Sequence, residues 1–235
     1  MSDNKYTDVP KLSAEQISSL FKIDLSGCDS SRDKEIDEQE KLRKERERQK
    51  HLEQCGIGEK FFNERFETFD AYNDNLKIIL TTAKEYVVDL KKGASRSLWF
   101  CGKHGNGKTM LAACILYALG YGIYKKSYEI EDELEETLSF SSKQKKSNII
   151  NYYAKVDFLV IDEVARFSSQ KELGYLFRIL NERYERELPT ILITNLTKQQ
   201  LKEYLGQALY DRFLETCTSL CFEEETYRIK KRKII

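Results

Sequence analysis

The stretch that decides the fold is residues 97–119, SLWFCGKHGNGKTMLAACILYAL. It starts with an apolar run, Leu98-Trp99-Phe100-Cys101, which predicts a buried strand. It then passes through GKHGNGKT at 102–109, which fits the G-x-x-x-x-G-K-[ST] pattern of a phosphate-binding loop without deviation. It continues into Leu111, Ala112, Ala113 and Ile115, which predict a helix over 108–119. Each loop residue has a physical reason. Gly102, Gly105 and Gly107 let the backbone turn with its amides facing inward, where they hold phosphate oxygens. Lys108 reaches the β and γ phosphates as a point charge, and Thr109 offers a hydroxyl to Mg²⁺. The new helix adds the positive end of its dipole. Lys103, His104 and Asn106 complete the expected nucleotide-binding stretch. His104 is expected to be a solvated loop residue, not a metal ligand.

The second signal lies downstream, in DFLVIDE at 157–163. An apolar strand, expected at 157–162, delivers Asp162 to the edge of the sheet, where its carboxylate can hold Mg²⁺ directly or through water. Glu163 follows, placed to orient and deprotonate an attacking water. Two adjacent acids can also simply cap a strand end, but the phosphate loop upstream favours the metal and water roles. The pair also argues against a GTPase or a small-molecule kinase.

Two further positions extend this site. TILITN at 190–195 is an apolar strand ending in Thr194 and Asn195. Its similarity to the corresponding strand of this division of P-loop proteins implies a place between the loop strand and the acidic strand, so that Asn195 reaches the attacking water or the γ phosphate. The competing reading makes Asn195 a helix cap, although Thr197 is the nearer cap for a helix predicted over 198–215. LYDRFLE at 209–215 carries Arg212 near the end of that helix. Arg212 can stabilise transition-state charge on the ATP of a neighbouring subunit. Its competing reading is a surface salt bridge with Asp211 or Glu215. Arg228, in ETYRIKKR, is a candidate γ-phosphate contact. The run KKRK at 230–233 is either a nucleic-acid patch or a solvated end.

Size and composition bound the reading. The chain has 235 residues, enough for one well-cored domain and a smaller appendage. Its 39 basic and 39 acidic side chains cancel, which excludes a whole-molecule positive field as a basis for nucleic-acid binding. No apolar run of about eighteen residues exists, so no membrane span is expected. The first residues lack the pattern of a secretory signal, and a cytoplasmic location is expected. The six cysteines are scattered without a CxxC pair, and the only histidines are His51 and His104, too dispersed for zinc.

Composition divides the chain at about residue 54. Residues 1–54 are charge-dense and expected to be helical, and the family resemblance given below implies that they dock a partner. Within them, 31–54 predicts a solvated helix in which only Ile36, Leu42 and Leu52 are apolar enough to bury. Upstream, Ile17, Leu20, Phe21 and Leu25 would share a helical face, either docking a partner or folding back on the chain. Residues 55–235 read as the packed domain. It begins with an aromatic-rich stretch at 59–69 and a helical hairpin near 73–91. Strands then alternate with helices, which argues for a buried parallel sheet with helices on both faces.

The order of these parts resembles the AAA+ ATPases of the DnaC/IstB-like branch, the helicase loaders and transposition helper ATPases. The resemblance covers about residues 55–228. It includes CGIGEKFFNERFETFD at 55–70, which is similar to that branch's GIP-x-R-F segment, as well as GKHGNGKT, DFLVIDE, ILITN, LYDRF and the late TYR. Gly58 stands where the family usually has proline. The resemblance implies a three-layer αβα P-loop fold with a parallel five-stranded sheet, no C-terminal helical lid, and a helical N-terminal extension. It implies ATP with Mg²⁺, hydrolysis to ADP and phosphate, a replicative helicase and single-stranded DNA as partners, and a homo-oligomer completed through Arg212. An IstB-like transposition helper is the second function consistent with these residues, and a nucleotide-gated adaptor with little turnover is the third.

Overall fold

The computed structural model describes residues 28–138, 145–167 and 169–223. The apolar face at 17–25, Arg228 and the 230–233 run lie outside them. The chain falls into two compact units, residues 1–46 and 47–235.

Within the first unit lies most of a long helix, α1 (Cys28–Gln54). Its Lys41 pairs with Asp37 at 2.6 Å and its Lys44 with Glu40 at 2.8 Å, one helical turn apart. Ile36 and Leu42 are exposed, so this part supplies no core.

The second unit opens with the last two turns of α1. Leu52 is fully buried there, so the packed unit begins at Glu47, some residues before the compositional change. A 3₁₀ turn at Glu59–Phe61 and α2 (Asp74–Lys91) follow. The stretch expected as a hairpin is thus a single helix. It is capped by Asn73, whose side chain accepts from the Leu76 amide, and Leu76, Ile79, Ala83, Val87 and Leu90 line one uninterrupted buried face.

Alternation then takes over: β1 (Ser97–Gly102), α3 (Lys108–Leu119), β2 (Ile123–Lys126), α4 (Ser127–Glu136), α5 (Lys146–Lys155), β3 (Leu159–Val164), α6 (Gln170–Glu185), β4 (Thr190–Thr194), α7 (Lys198–Leu205), α8 (Gln207–Thr216) and β5 (Cys217–Phe222). The strands form one parallel sheet in the order β2-β3-β4-β1-β5. β4 lies between the loop strand β1 and the acidic strand β3, as expected.

Two-residue periodicity in the strands sorts the core into two layers. Leu98 and Phe100 of β1 face α2, α3 and the end of α1. Trp99 and Cys101, their chain neighbours, face α4–α8. The result is the expected three-layer αβα sandwich around a parallel five-stranded sheet.

Several boundaries differ from expectation, two of them in ways that matter for the fold. β3 begins two residues later and runs through Asp162 and Glu163 instead of ending at Asp162. The helix expected over 198–215 is two helices, because Gly206 adopts φ 77° and ψ 155°, a conformation open essentially to glycine alone.

Candidate functional site

β1 ends at Gly102, where φ is 124° and a Cβ would come within 2.0 Å of the Phe222 carbonyl oxygen. Glycine is needed here for strand spacing, because β5 runs directly alongside. The Asn106 side-chain amide donates to that same carbonyl at 2.8 Å, which ties the loop to β5. Asn106 Oδ1 in turn accepts from Lys108 Nζ at 3.0 Å. Lys108 Nζ also donates to the carbonyls of Gly102 and Lys103, each at 2.6 Å. The lysine is buried, and desolvation, opposed by the nearby Asp162, brings its pKa down to about 8.

Lys108 is also the first residue of α3. The N-cap, Gly107, provides no side-chain cap, and the first turn carries no acid. The amides at the head of this helix are therefore left for an anion.

Opposite the loop, Asp162 is buried within β3. Its Oδ2 accepts from Thr109 Oγ1 at 2.7 Å and from Tyr124 Oη at 2.8 Å, and its Oδ1 accepts from the Glu163 amide at 2.6 Å. Burial pushes the Asp162 pKa up, while the Thr109 and Tyr124 hydroxyls work against that rise. Glu163 has φ 58°, and its carboxylate pairs with Arg166. Asn195 sits just beyond β4. Thr197 is the helix cap: its Oγ1 accepts from the Gln200 amide and Gln200 reaches back to the Thr197 amide, so Asn195 has no capping duty.

These groups enclose a cavity of about 390 Å³, lined by loop residues 104–110, Asp162, Glu163 and Asn195, with Lys60, Phe61 and Glu64 from the segment before α2. That volume suits a small organic ligand. The loop, both acids and Asn195 are thus brought together as expected. Lys103 turns only its carbonyl to the site, through Lys108. Arg212 lies elsewhere, exposed on α8, where it meets Asn181 and stacks 5.9 Å from the Tyr184 ring centroid. Its alternative salt-bridge partners are occupied otherwise: Asp211 accepts from Gln207, and Glu215 from Tyr184.

Five site residues escaped sequence reasoning: Lys60, Phe61, Glu64, Tyr124 and Met110, the last directly after Thr109. Lys60, Phe61 and Glu64 lie within the 55–70 stretch quoted for the resemblance but are remote in sequence from the phosphate loop and the acidic pair, and no spacing rule leads from those to them. Tyr124 left one signal: a tyrosine in a short strand, here the edge strand β2, must find a partner for its hydroxyl when buried.

A family model described as "IstB-like ATP binding protein" matches residues 29–234. The chain belongs to that family. Among solved structures, this IstB-like chain resembles DnaI, with a TM-score of 0.61 at 20% identity over 73% of this chain and 94% of that one. It resembles the DnaC helicase loader with a TM-score of 0.62 at 19% identity, over 71% of this chain and all (100%) of that one. Replication initiator DnaA, bound to AMPPCP and single-stranded DNA, gives 0.61 at 23% identity over 76% and 56% of the respective chains. At such identities the likeness is one of fold. No curated protein sequence matches. The IstB-like chain thus shares its fold with DnaI and DnaC, and among its described residues no helix is long and apolar enough to cross a membrane.

Proposed function

We propose that this IstB-like chain hydrolyses ATP and uses the cycle to place a replicative helicase on single-stranded DNA. The observation that carries the reading is the meeting of Thr109 and Asp162 across from Lys108, at the uncapped head of α3. Backbone amides, a buried ammonium, a hydroxyl and a carboxylate there form a donor set suited to a triphosphate with Mg²⁺.

In this reading the loop amides and Lys108 bind the β and γ phosphates, with phosphate oxygens replacing the carbonyls that Lys108 now contacts. Thr109 and Asp162 would hold Mg²⁺, which supplies neutralisation of phosphate charge. Glu163 swings from Arg166 to take the proton of the attacking water, and Asn195 orients that water. Arg212 points away from its own cavity. It serves a neighbouring subunit, which makes a homo-oligomer the working form. Residues 1–54 dock the helicase, and Arg228 contacts the γ phosphate.

The DNA and helicase assignments draw on the fold shared with DnaC and DnaA and on what those proteins' descriptions name. A second reading has its own support: the matched family model is the IstB-like one, which suits a transposition helper acting on duplex DNA.

Single-turnover hydrolysis tests the core claim. Glu163→Gln should bind ATP with wild-type affinity and lose turnover, whereas Lys108→Ala should lose binding. Wild-type turnover in Glu163→Gln would remove the glutamate from its role. Stimulation by single-stranded but not duplex DNA, with helicase co-purification, supports the loader; the reverse DNA preference supports the transposition helper.

A further inference from the structure

Glu172 is an acid buried where the mechanism above does not use it. It lies in the first turn of α6 and is 3% exposed. Its Oε1 accepts from Ser127 Oγ at the start of α4 and from the Ala165 amide, the latter at 2.9 Å. Its Oε2 accepts from Tyr204 Oη of α7 at 2.6 Å. Tyr175, one turn along α6, donates to the Ser127 carbonyl. None of the three donors to Glu172 carries a charge. A buried carboxylate held only by neutral donors is costly to fold around, which asks what it secures.

What it secures is the backbone just after Glu163. β3 and β4 pair as Ile161 with Leu192 and next as Val164 with Thr194, so β3 carries one residue more than its partner across this interval. The extra residue makes a bulge at the two acids, and bulges re-aim side chains. The bulge is strained. Glu163 and Ala165 both adopt left-handed φ, at 58° and 61°, which L residues avoid. Val164 between them is held by its carbonyl, which accepts from Thr194 Oγ1 at 2.9 Å. Ala165 is held by its amide, through Glu172.

We infer that Glu172 is a positioning residue for ATP hydrolysis, acting through the Ala165 amide on the bulge that aims Glu163 into the cavity. The inference rests on Glu163 as the water-activating group. Glu172→Gln nearly preserves shape but replaces the charged acceptor with a neutral amide oxygen and turns an NH2 group towards Tyr204, so the bonds that Ala165 and Ser127 make to it weaken. The bulge loosens and Glu163 loses its aim, while the phosphate loop, on the far side of Asp162, is untouched.

The test compares Glu172→Gln, Glu163→Gln and the double variant in full-length protein. It reads single-turnover rate, ATP affinity by fluorescent-nucleotide titration, and thermal midpoint. Glu172→Gln should slow hydrolysis by about 10- to 100-fold, the cost of a small misplacement of a reacting group, with ATP affinity within about twofold of wild type. The double variant should be no slower than Glu163→Gln alone, because the two residues act in series. Tyr204→Phe, which removes one donor only, should show a smaller loss of the same kind and serves if Glu172→Gln fails to fold. A wild-type rate in Glu172→Gln, an affinity loss matching the rate loss, or additive slowing in the double variant overturns the inference and leaves Glu163 standing. A wild-type rate in Glu163→Gln overturns the water-activation reading and the inference with it.

Discussion

Thr109 and Asp162 lie 53 positions apart in the chain, and the hydroxyl of one donates to the carboxylate of the other across 2.7 Å. The sheet order makes this possible, since β3 and β1 are separated only by β4. A hydroxyl and a carboxylate at that spacing can open around a divalent ion. Asp162→Asn should therefore remove most of the gain in ATP affinity that Mg²⁺ confers over EDTA, and should slow hydrolysis by at least about 100-fold. Nucleotide titrations with and without Mg²⁺ check the first outcome and turnover assays the second. Equal Mg²⁺ dependence in variant and wild type would exclude Asp162 from the metal site.

Arg183 should be the most costly single charge to remove. It is 1% exposed, its Nε donates to Thr190 Oγ1, and its guanidinium donates to the carbonyls of Tyr153, Val156 and Pro189 at 2.6–3.0 Å. Burial brings its pKa down to about 10. Arg183→Met takes this donor from the Tyr153 and Val156 carbonyls, leaves Pro189 only the Leu159 amide at 3.4 Å, and should destabilise the unit by about 3 kcal/mol. Urea unfolding measures this, and a loss below about 1 kcal/mol would show that water takes over the carbonyls.

A truncation at residue 54 should damage what a truncation at 46 leaves intact. Leu52 is fully buried, and Arg48 stacks over the Tyr117 ring. The 47–235 fragment should bind ATP as the whole chain does. The 55–235 fragment loses a buried leucine, worth about 2 kcal/mol or more, which lowers the melting midpoint by roughly 5 °C. Equal melting of the two fragments would refute this boundary.

Gly58→Pro should stabilise the chain. Gly58 has φ −67°, the angle a proline ring imposes, and a Cβ there meets nothing within 4 Å. The gain expected from a stiffer unfolded chain is about 0.4–1 kcal/mol, read from the urea midpoint. Destabilisation would mean that the ring or its effect on Ile57 is not tolerated.

Acid should weaken the fold through His51. Burial lowers its pKa in the folded state, against a smaller opposing hydrogen bond to the Tyr121 backbone. The unfolded chain then binds the extra proton more readily, so stability present above about pH 6.5 is lost as pH falls below it. Unfolding at pH 7.5 and 5.5 should show a smaller difference for His51→Gln than for wild type. An unchanged difference would assign the acid sensitivity to other groups.

Much of this was legible in the sequence because it is local. A loop whose glycines, lysine and threonine stand in fixed order between a strand and a helix leaves little freedom, and Asp162, Glu163 and Asn195 sit at ends of apolar runs that can only be sheet. The breaks were less legible. Gly206 splits a helical pattern that its neighbours continue without interruption, since a single glycine inside a helix is tolerated often enough to carry little information. The bulge at Glu163 depends on how β3 registers against β4, and the cavity wall formed by Lys60, Phe61 and Glu64 depends on packing between segments far apart in the chain. The burial of Leu52 was hidden by its charged neighbours, because composition reports an average and a core contact is made by one side chain.

The close approach of Gly102 to Phe222 changes what an alanine scan of the loop would measure. A methyl group at 102 would collide with the backbone of β5 and wedge the sheet apart, so lost nucleotide binding in that variant would report a displaced strand and not a missing phosphate contact. At Gly107, where φ is 98° and alanine is also strained, the nearest atoms are the far edge of the Phe69 ring, at 3.4 Å, and no strand is in the way, so the cost is local. Chemically identical substitutions five positions apart would therefore sound alike in a binding assay and differ in a melting curve.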